Sequence, residues 1–258
     1  MDEHRVLEAA SDWVWIPPDA EDHIEADYRL TVYPDRTSVQ WSATERPLDE
    51  LIAEVRERAR GTNPVLRWWV NGRTAPDGTA DALLNHGFEL VETVEVLARK
   101  LTSADELTAA LDPPSGVEAR PANTPDLIYL AGQIDAEVFD WSAPTPVQLQ
   151  QEYDAVAKAK GSPDSGRYLA YIHNQPVGSA GFTTVDDVLR LWGGGVLPKA
   201  RGRGAYRALL AARCVQGIRQ GATLALVKGS AATSAPILRR AGFTPYGAEQ
   251  CYQASLLS

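Results

Sequence analysis

The sequence predicts an α+β protein, a mixed sheet flanked by helices, built twice in tandem. Three observations predict it. Strand-like and helix-like stretches alternate along the chain, a proline-rich break falls near its middle, and the order of elements before the break recurs after it.

The break is Leu111-Asp112-Pro113-Pro114-Ser115-Gly116, where two prolines and a glycine stop any periodic structure. Val117–Pro121 then reads as a short strand opening a second unit. The expected organisation is 1–110, a linker at 111–116, and 117–258. A chain of 258 residues is long for one core and comfortable for two.

The recurrence rests on Leu83-Leu84-Asn85-His86-Gly87-Phe88, which lies opposite Leu238-Arg239-Arg240-Ala241-Gly242-Phe243 at an offset of 155. At that offset Val65–Val70 meets the neighbourhood of Gln220–Ala225, and Val91–Leu101 falls opposite Tyr246–Leu256. A repeat of this length points to a duplicated domain, since solenoid units recur every ~20–50 residues.

Composition closes off several functions. Hydrophobic residues make up 44% and charged residues 23%, as in ordinary globular proteins. No apolar run reaches the length of a membrane span. The opening Met1-Asp2-Glu3-His4-Arg5 has no secretory pattern, so the expected location is the cytoplasm. The net charge of −9 speaks against nucleic acid, which needs a basic footprint. Such a field favours a cationic acceptor, or simply keeps the protein soluble. Two cysteines and four scattered histidines offer no metal-ligand spacing, so no metal is expected.

In the second half, Asp126–Phe139 and Thr145–Lys160 read as helices, the latter capped at Thr145. Tyr168–His173 and Val177–Thr184 read as strands around a turn at Asn174-Gln175-Pro176, and Val188–Leu197 as a third strand. Ala205–Arg219 is a helix whose apolar face carries Tyr206, Leu209, Leu210, Cys214 and Ile218. Ala222–Val227 and Ser234–Arg240 follow as strand and helix, closed by Gly242.

The chemistry concentrates at Arg201-Gly202-Arg203-Gly204-Ala205-Tyr206, where a strand ends, a basic glycine loop follows and a helix begins. The first amides of a helix lack partners and carry the positive end of its dipole. Glycines admit a phosphate close to the backbone, and Arg201 and Arg203 can add charge-assisted bonds. This suits a pyrophosphate. A Walker loop is absent, and a dinucleotide fingerprint would need glycine where Arg207 stands. Upstream, Trp192-Gly193-Gly194-Gly195 puts three glycines near a strand's end, which marks a bulge or the close approach of a ligand.

These features resemble the GCN5-related N-acetyltransferase (GNAT) superfamily, whose signature is Arg/Gln-x-x-Gly-x-Gly/Ala after a strand. Arg201 and Gly204 fit, and Tyr206 departs from the small last residue. The resemblance spans residues 117–256 in element order. It implies two tandem GNAT-like domains, the second binding acetyl-CoA as co-substrate. Val196 and Leu197 would offer main-chain groups to the pantetheine arm, and Arg201, Gly202, Arg203, Gly204, Ala205 and Tyr206 would hold the pyrophosphate. Ser234, heading the late helix, is assigned to the same cofactor. Many members carry a tyrosine four residues before the glycine of that helix as a proton donor; Leu238 stands there instead.

The acceptor would be a small-molecule or amino-acid-like amine, lined by the first two helices and their loop. Glu137 and Asp140 are candidate bases, each also readable as a solvated surface charge. Trp141 and Trp192 are candidate substrate walls, each also readable as packing. The first half lacks the loop: Arg46-Pro47-Leu48-Asp49-Glu50-Leu51 stands opposite Arg201–Tyr206, its glycines replaced and its acids repelling phosphate. It reads as a degenerate copy that has lost CoA binding. The tandem arrangement also resembles mycothiol synthase-like proteins. A different function, CoA binding without turnover in a regulator or partner protein, stays open because of Leu238. The oligomeric state is not legible.

Overall fold

A computed structural model describes residues 2–16, 20–140, 143–158 and 164–256. The chain divides into two compact units. The first comprises Met1–Leu97, Lys228–Ile237 and Pro245–Ser258; the second comprises Ala98–Val227 and Leu238–Thr244. The units interleave along the chain, so the division at 111–116 has to be argued from the repeat of elements.

In the first unit, α1 (Glu3–Ser11) precedes β1 (Glu21–Ile24), β2 (Tyr28–Val32) and β3 (Thr37–Ser42). Next come α2 (Leu48–Ala59), β4 (Val65–Val70), α3 (Thr79–Asn85) and β5 (Glu89–Lys100). The last strand, β11 (Thr244–Ser255), runs antiparallel to β4, with Gln250 opposite Val70 and Ser255 opposite Val65. β3 and β4 are parallel and the other hydrogen-bonded pairs with a known register are antiparallel, which makes the sheet mixed. Leu51, Ile52, Val55 and Ala59 of α2 recur at helical spacing and bury completely against Val39, Leu66 and Trp68.

In the second unit, α4 (Ala104–Leu111), capped by Ser103, leads to β6 (Val117–Pro121). α5 (Pro125–Phe139) is capped by Thr124, whose side chain accepts from the Leu127 N–H, with Pro125 in its first turn. α6 (Pro146–Lys158) is capped by Thr145 in the same way, and Gln148 returns a bond to the Thr145 N–H. β7 (Ser165–Ile172), β8 (Gln175–Val185) and β9 (Val188–Val196) form an antiparallel meander, followed by α7 (Ala205–Arg219), β10 (Leu224–Ser230) and α8 (Ala235–Arg240).

One turn differs from expectation. The β7–β8 hairpin turns on His173 and Asn174, both at positive φ (50° and 60°), and Gln175 and Pro176 already belong to β8. A two-residue turn with both centres left-handed matches the twist of the strands, and a proline at a strand's start costs little.

The repeated Gly-Phe pairs have a common structural cause. Gly87 (φ 75°) and Gly242 (φ 81°) each end a short helix in the left-handed region. The following phenylalanine amide reaches back five residues, Phe88 to the Leu83 carbonyl (3.0 Å) and Phe243 to the Leu238 carbonyl (3.1 Å). This is the Schellman closure, with the apolar residue after the glycine buried: Phe88 and Phe243 are 2% and 3% exposed.

Candidate functional site

β9 carries the geometry. Its parallel register with β10 runs over three pairs, Val188–Leu224, Leu189–Ala225 and Arg190–Leu226. β9 then continues six residues to Val196, in register with β8 alone among the described pairings. Its pairing with β8 skips from Ser179–Gly195 to Gly181–Trp192, so Gly193 and Gly194 face a single residue, Ala180. That is a bulge, with Gly193 at φ 58°.

Just past it, the Leu197 N–H donates to the Val177 carbonyl at 2.8 Å. Gly178 and Val196 are therefore a non-hydrogen-bonded pair, and both main-chain groups of Val196 point away from β8, along the edge that β10 has left. The Val196 carbonyl accepts from Arg201 Nε at 3.2 Å. Leu197 is engaged at both ends, since its carbonyl accepts from the Ala200 N–H at 2.9 Å. Of the two residues expected to offer main-chain groups, only Val196 has one facing outward.

Arg201, Gly202 and Arg203 are exposed. Gly204 caps α7 at φ 88° with no side-chain bond, and the first intrahelical bond is from the Ala208 N–H to the Gly204 carbonyl at 3.1 Å. The amides of Ala205, Tyr206 and Arg207 are left without intrahelical partners. A Cβ on Gly202 would meet nothing within 4 Å. Gly204 is different, because its α-carbon is covered by the ring of Pro114.

The two sheet faces beside the bulge differ. On one, Tyr206 of α7 lies under Gly194: a Cβ built there would stand 3.1 Å from Tyr206 Cε2. The Tyr206 hydroxyl hydrogen-bonds with the buried guanidinium of Arg213. On the other, Gly195 faces Val138 and Phe139 of α5, where a Cβ would fall 2.6 Å from Val138 Cγ1 and 3.1 Å from Phe139 Cζ. Trp192 shares that face; its ring fills the space of the absent Gly181 side chain, its Nε1 donates to Thr183 Oγ1 at 3.1 Å, and Arg167 stacks on it at 4.9 Å.

A buried acid on this face escaped the sequence reading. Asp135 of α5, 5% exposed, pairs with Arg167, which also donates from Nε to Glu152 at 2.5 Å. Burial holds the Asp135 carboxyl above its usual range, against the pull of Arg167. Ser179 is the partner of Gly195 across the bulge. The signal was present: Asp135 interrupts the apolar stripe Ile128, Ala131, Ile134, Val138, where a charge has to be paired. Glu137 and Asp140, the expected bases, are exposed, with Asp140 serving as the left-handed C-cap of α5. Trp141 lies outside the described residues. Ser234 belongs to the first unit, where its carbonyl accepts from the Ile237 N–H. Among the described residues no group of three or more His, Cys, Asp or Glu could hold a metal ion.

The first unit repeats this geometry up to one point. β3 and β4 run parallel over three pairs, Thr37–Leu66 to Val39–Trp68. β2 and β3 slip register between Arg29 and Leu30, and the Ala43 N–H donates to the Asp27 carbonyl at 2.8 Å. Ser42 thereby takes the position Val196 has in the second unit, its main chain turned away from β2. Here the edge is filled by the protein itself. The Ala75 N–H donates to the Ser42 carbonyl (3.0 Å), and the Thr44 N–H donates to the Ala75 carbonyl (3.1 Å). Asn71 Nδ2 covers the Gln40 carbonyl at 2.8 Å. Arg46 is spent on Asp27 and Glu54, both at 2.6 Å.

Known proteins agree with this architecture. The family model described as "Acetyltransferase (GNAT) family" matches residues 135–243. A GCN5-related N-acetyltransferase from Sphaerobacter thermophilus superposes with a TM-score of 0.66 at 18% identity, over 96% of this chain and 85% of that one. A tandem GNAT protein from the clavulanic acid biosynthesis pathway gives 0.62 at 16%, over 98% and 88%. A GCN5-related N-acetyltransferase from Kribbella flavida gives 0.59 at 18%, over 91% and 89%. The chain has the GNAT fold. No curated protein matches it. Among the described residues no helix is long and apolar enough to cross a membrane.

Proposed function

We propose that the chain is an acyl-CoA-dependent N-acyltransferase that moves an acetyl group from acetyl-CoA to the amine of a small-molecule or amino-acid-like acceptor. The observation that carries this reading is the free edge of β9 beyond Arg190, with the Val196 main chain turned outward and the uncapped start of α7 directly downstream. An extended pantetheine arm would lie along that edge as an added strand. The pyrophosphate would take the amides of Ala205, Tyr206 and Arg207, with the guanidinium groups of Arg201 and Arg203 adding charge.

The reaction is a direct attack. The neutral amine nitrogen forms a bond to the thioester carbonyl carbon, the oxygen gains negative charge, and an amide in the Gly193–Gly195 bulge stabilises it. The C–S bond then breaks, its electron pair leaves on sulfur, and the surplus proton of nitrogen passes to solvent or to the thiolate. Asp135, beside the bulge, joins Glu137 and Asp140 as a candidate for accepting that proton through water. Trp192 and Arg167 would floor the acceptor's approach, with Trp141 as a further wall.

The first unit is proposed as a degenerate copy, which also carries the division at 111–116. The matched bulge, three-pair register and outward-facing Ser42 support duplication. The bonds of Ala75 to Ser42 and Thr44 occupy the edge where pantetheine would lie. One CoA per chain is the consequence. The two cysteines are free, in keeping with a cytoplasmic setting.

A second reading, CoA binding without turnover, is favoured by one observation: Leu238 is fully buried and can donate no proton. Thiol release from acetyl-CoA across a panel of amines separates the two. Release with at least one amine supports the transferase, and tight CoA binding with no release across the panel supports the binder.

A further inference from the structure

Arg213 has a property that acetyl transfer has not yet used. It is 1% exposed, on the face of α7 beneath β8 and β9, and its charged or ionisable neighbours are Tyr206 and Cys214. No carboxylate is paired with it among the described residues. Its Nη1 donates to the carbonyls of Gly181 (3.0 Å) and Trp192 (3.3 Å), the pair at one rim of the bulge, and its Nε donates to the Leu209 carbonyl (3.1 Å). Inside the bulge, a Cβ on Gly194 would stand 3.4 Å from Nη2. The guanidinium thus spans the underside of the bulge. Neutral partners alone compensate a buried cation poorly, and a neutral amide could serve the same carbonyls. The charge itself has a use where negative charge arrives at the bulge.

We propose that Arg213 is a positioning residue for the acyl transfer, acting across the Gly194 backbone to stabilise negative charge on the thioester oxygen and then on the departing sulfur. This rests on the CoA assignment above. It supplies for the thiolate what the absent tyrosine at position 238 would otherwise give, as a fixed charge in place of a proton. The phenol of Tyr206 orients the guanidinium from the side.

The test uses coenzyme A itself and needs no acceptor. The thiol of bound CoA is titrated by its thiolate absorbance in the wild-type protein and in Arg213→Gln and Arg213→Lys. Cys214 and Cys251 do not intrude, since burial pushes both thiols up to about 12. The bound thiol is expected to titrate below the thiol of free coenzyme A measured in the same buffer. It should rise by about one pH unit or more in Arg213→Gln and by less in Arg213→Lys, with CoA affinity at neutral pH changed less than about threefold. Equal titration in wild type and Arg213→Gln, both saturated with CoA, overturns the inference and leaves the CoA site standing. A wild-type thiol that titrates at or above the thiol of free coenzyme A when bound overturns it without any variant, even if Arg213→Gln does not fold. Absence of CoA binding to the wild type removes the site and this inference together.

Discussion

The ring of Pro114 sits on the α-carbon of Gly204, where a Cβ would fall 2.3 Å from Cγ and 2.4 Å from Cδ. The proline of the central break thereby seals the back of the loop that opens α7, while the loop's front stays exposed. Gly204 is needed twice over, for its φ of 88° and for this contact. Gly204→Ala should lose about 2–4 kcal/mol of stability and weaken CoA binding at least about tenfold, because the loop must shift. Gly202→Ala meets no neighbour and should cost about 1 kcal/mol, from its positive φ alone. Thermal unfolding paired with CoA titration reads both.

Neither cysteine should take part in the chemistry. Cys214 and Cys251 are fully buried, and burial raises both thiols to about 12, far from a reactive thiolate. Incubation of the native protein with an alkylating reagent at neutral pH should leave both unmodified and thiol release unchanged. Rapid labelling of Cys214 with loss of release would instead point to an acyl-thiol intermediate.

The first unit should show an acid-side loss of stability from Asp22. Its hydrogen bond to Arg29, bidentate at the carboxylate, holds its pKa below the usual value, with Thr31 and the charge of Arg29 acting in the same direction. The unfolded chain then binds the proton more readily, so the contribution is present above the unfolded carboxyl range and lost as pH falls through the folded value. The pair is partly exposed, so the effect is at most about 1 kcal/mol. Asp22→Asn should lower stability near neutrality and flatten its fall below about pH 4. An unchanged slope in chemical denaturation across that range would assign the acid sensitivity to other groups.

Much of the fold was legible because its signals are local. The helix Ala205–Arg219 and the strands Val65–Val70 and Val117–Pro121 fall where periodicity puts them. The Gly-Phe repeat turned out to be one backbone motif used twice, visible because it needs a glycine at a fixed place. The three-glycine bulge was likewise readable. What was not legible depends on partners distant in sequence. The pairing of β11 with β4 joins residues some 180 apart, and no pattern in either strand names the other. The closure of the first unit's edge by Ala75 is made by main-chain bonds, which carry no residue signature. Asp135 and Arg213 read as ordinary helix charges until the sheet that buries them is in place. Glu137 and Asp140 were readable as acids beside the loop of the first two helices, and helical phase turns Asp135 inward and Glu137 out.

The most direct measurement is amide hydrogen exchange with and without coenzyme A. The account predicts that CoA slows exchange at Val196 and at Ala205, Tyr206 and Arg207, and leaves Asn71–Ala75 and Ser42–Thr44 as they were. Protection at Ser42–Thr44 in place of Val196, or no protection at the start of α7 under saturating CoA, would contradict it.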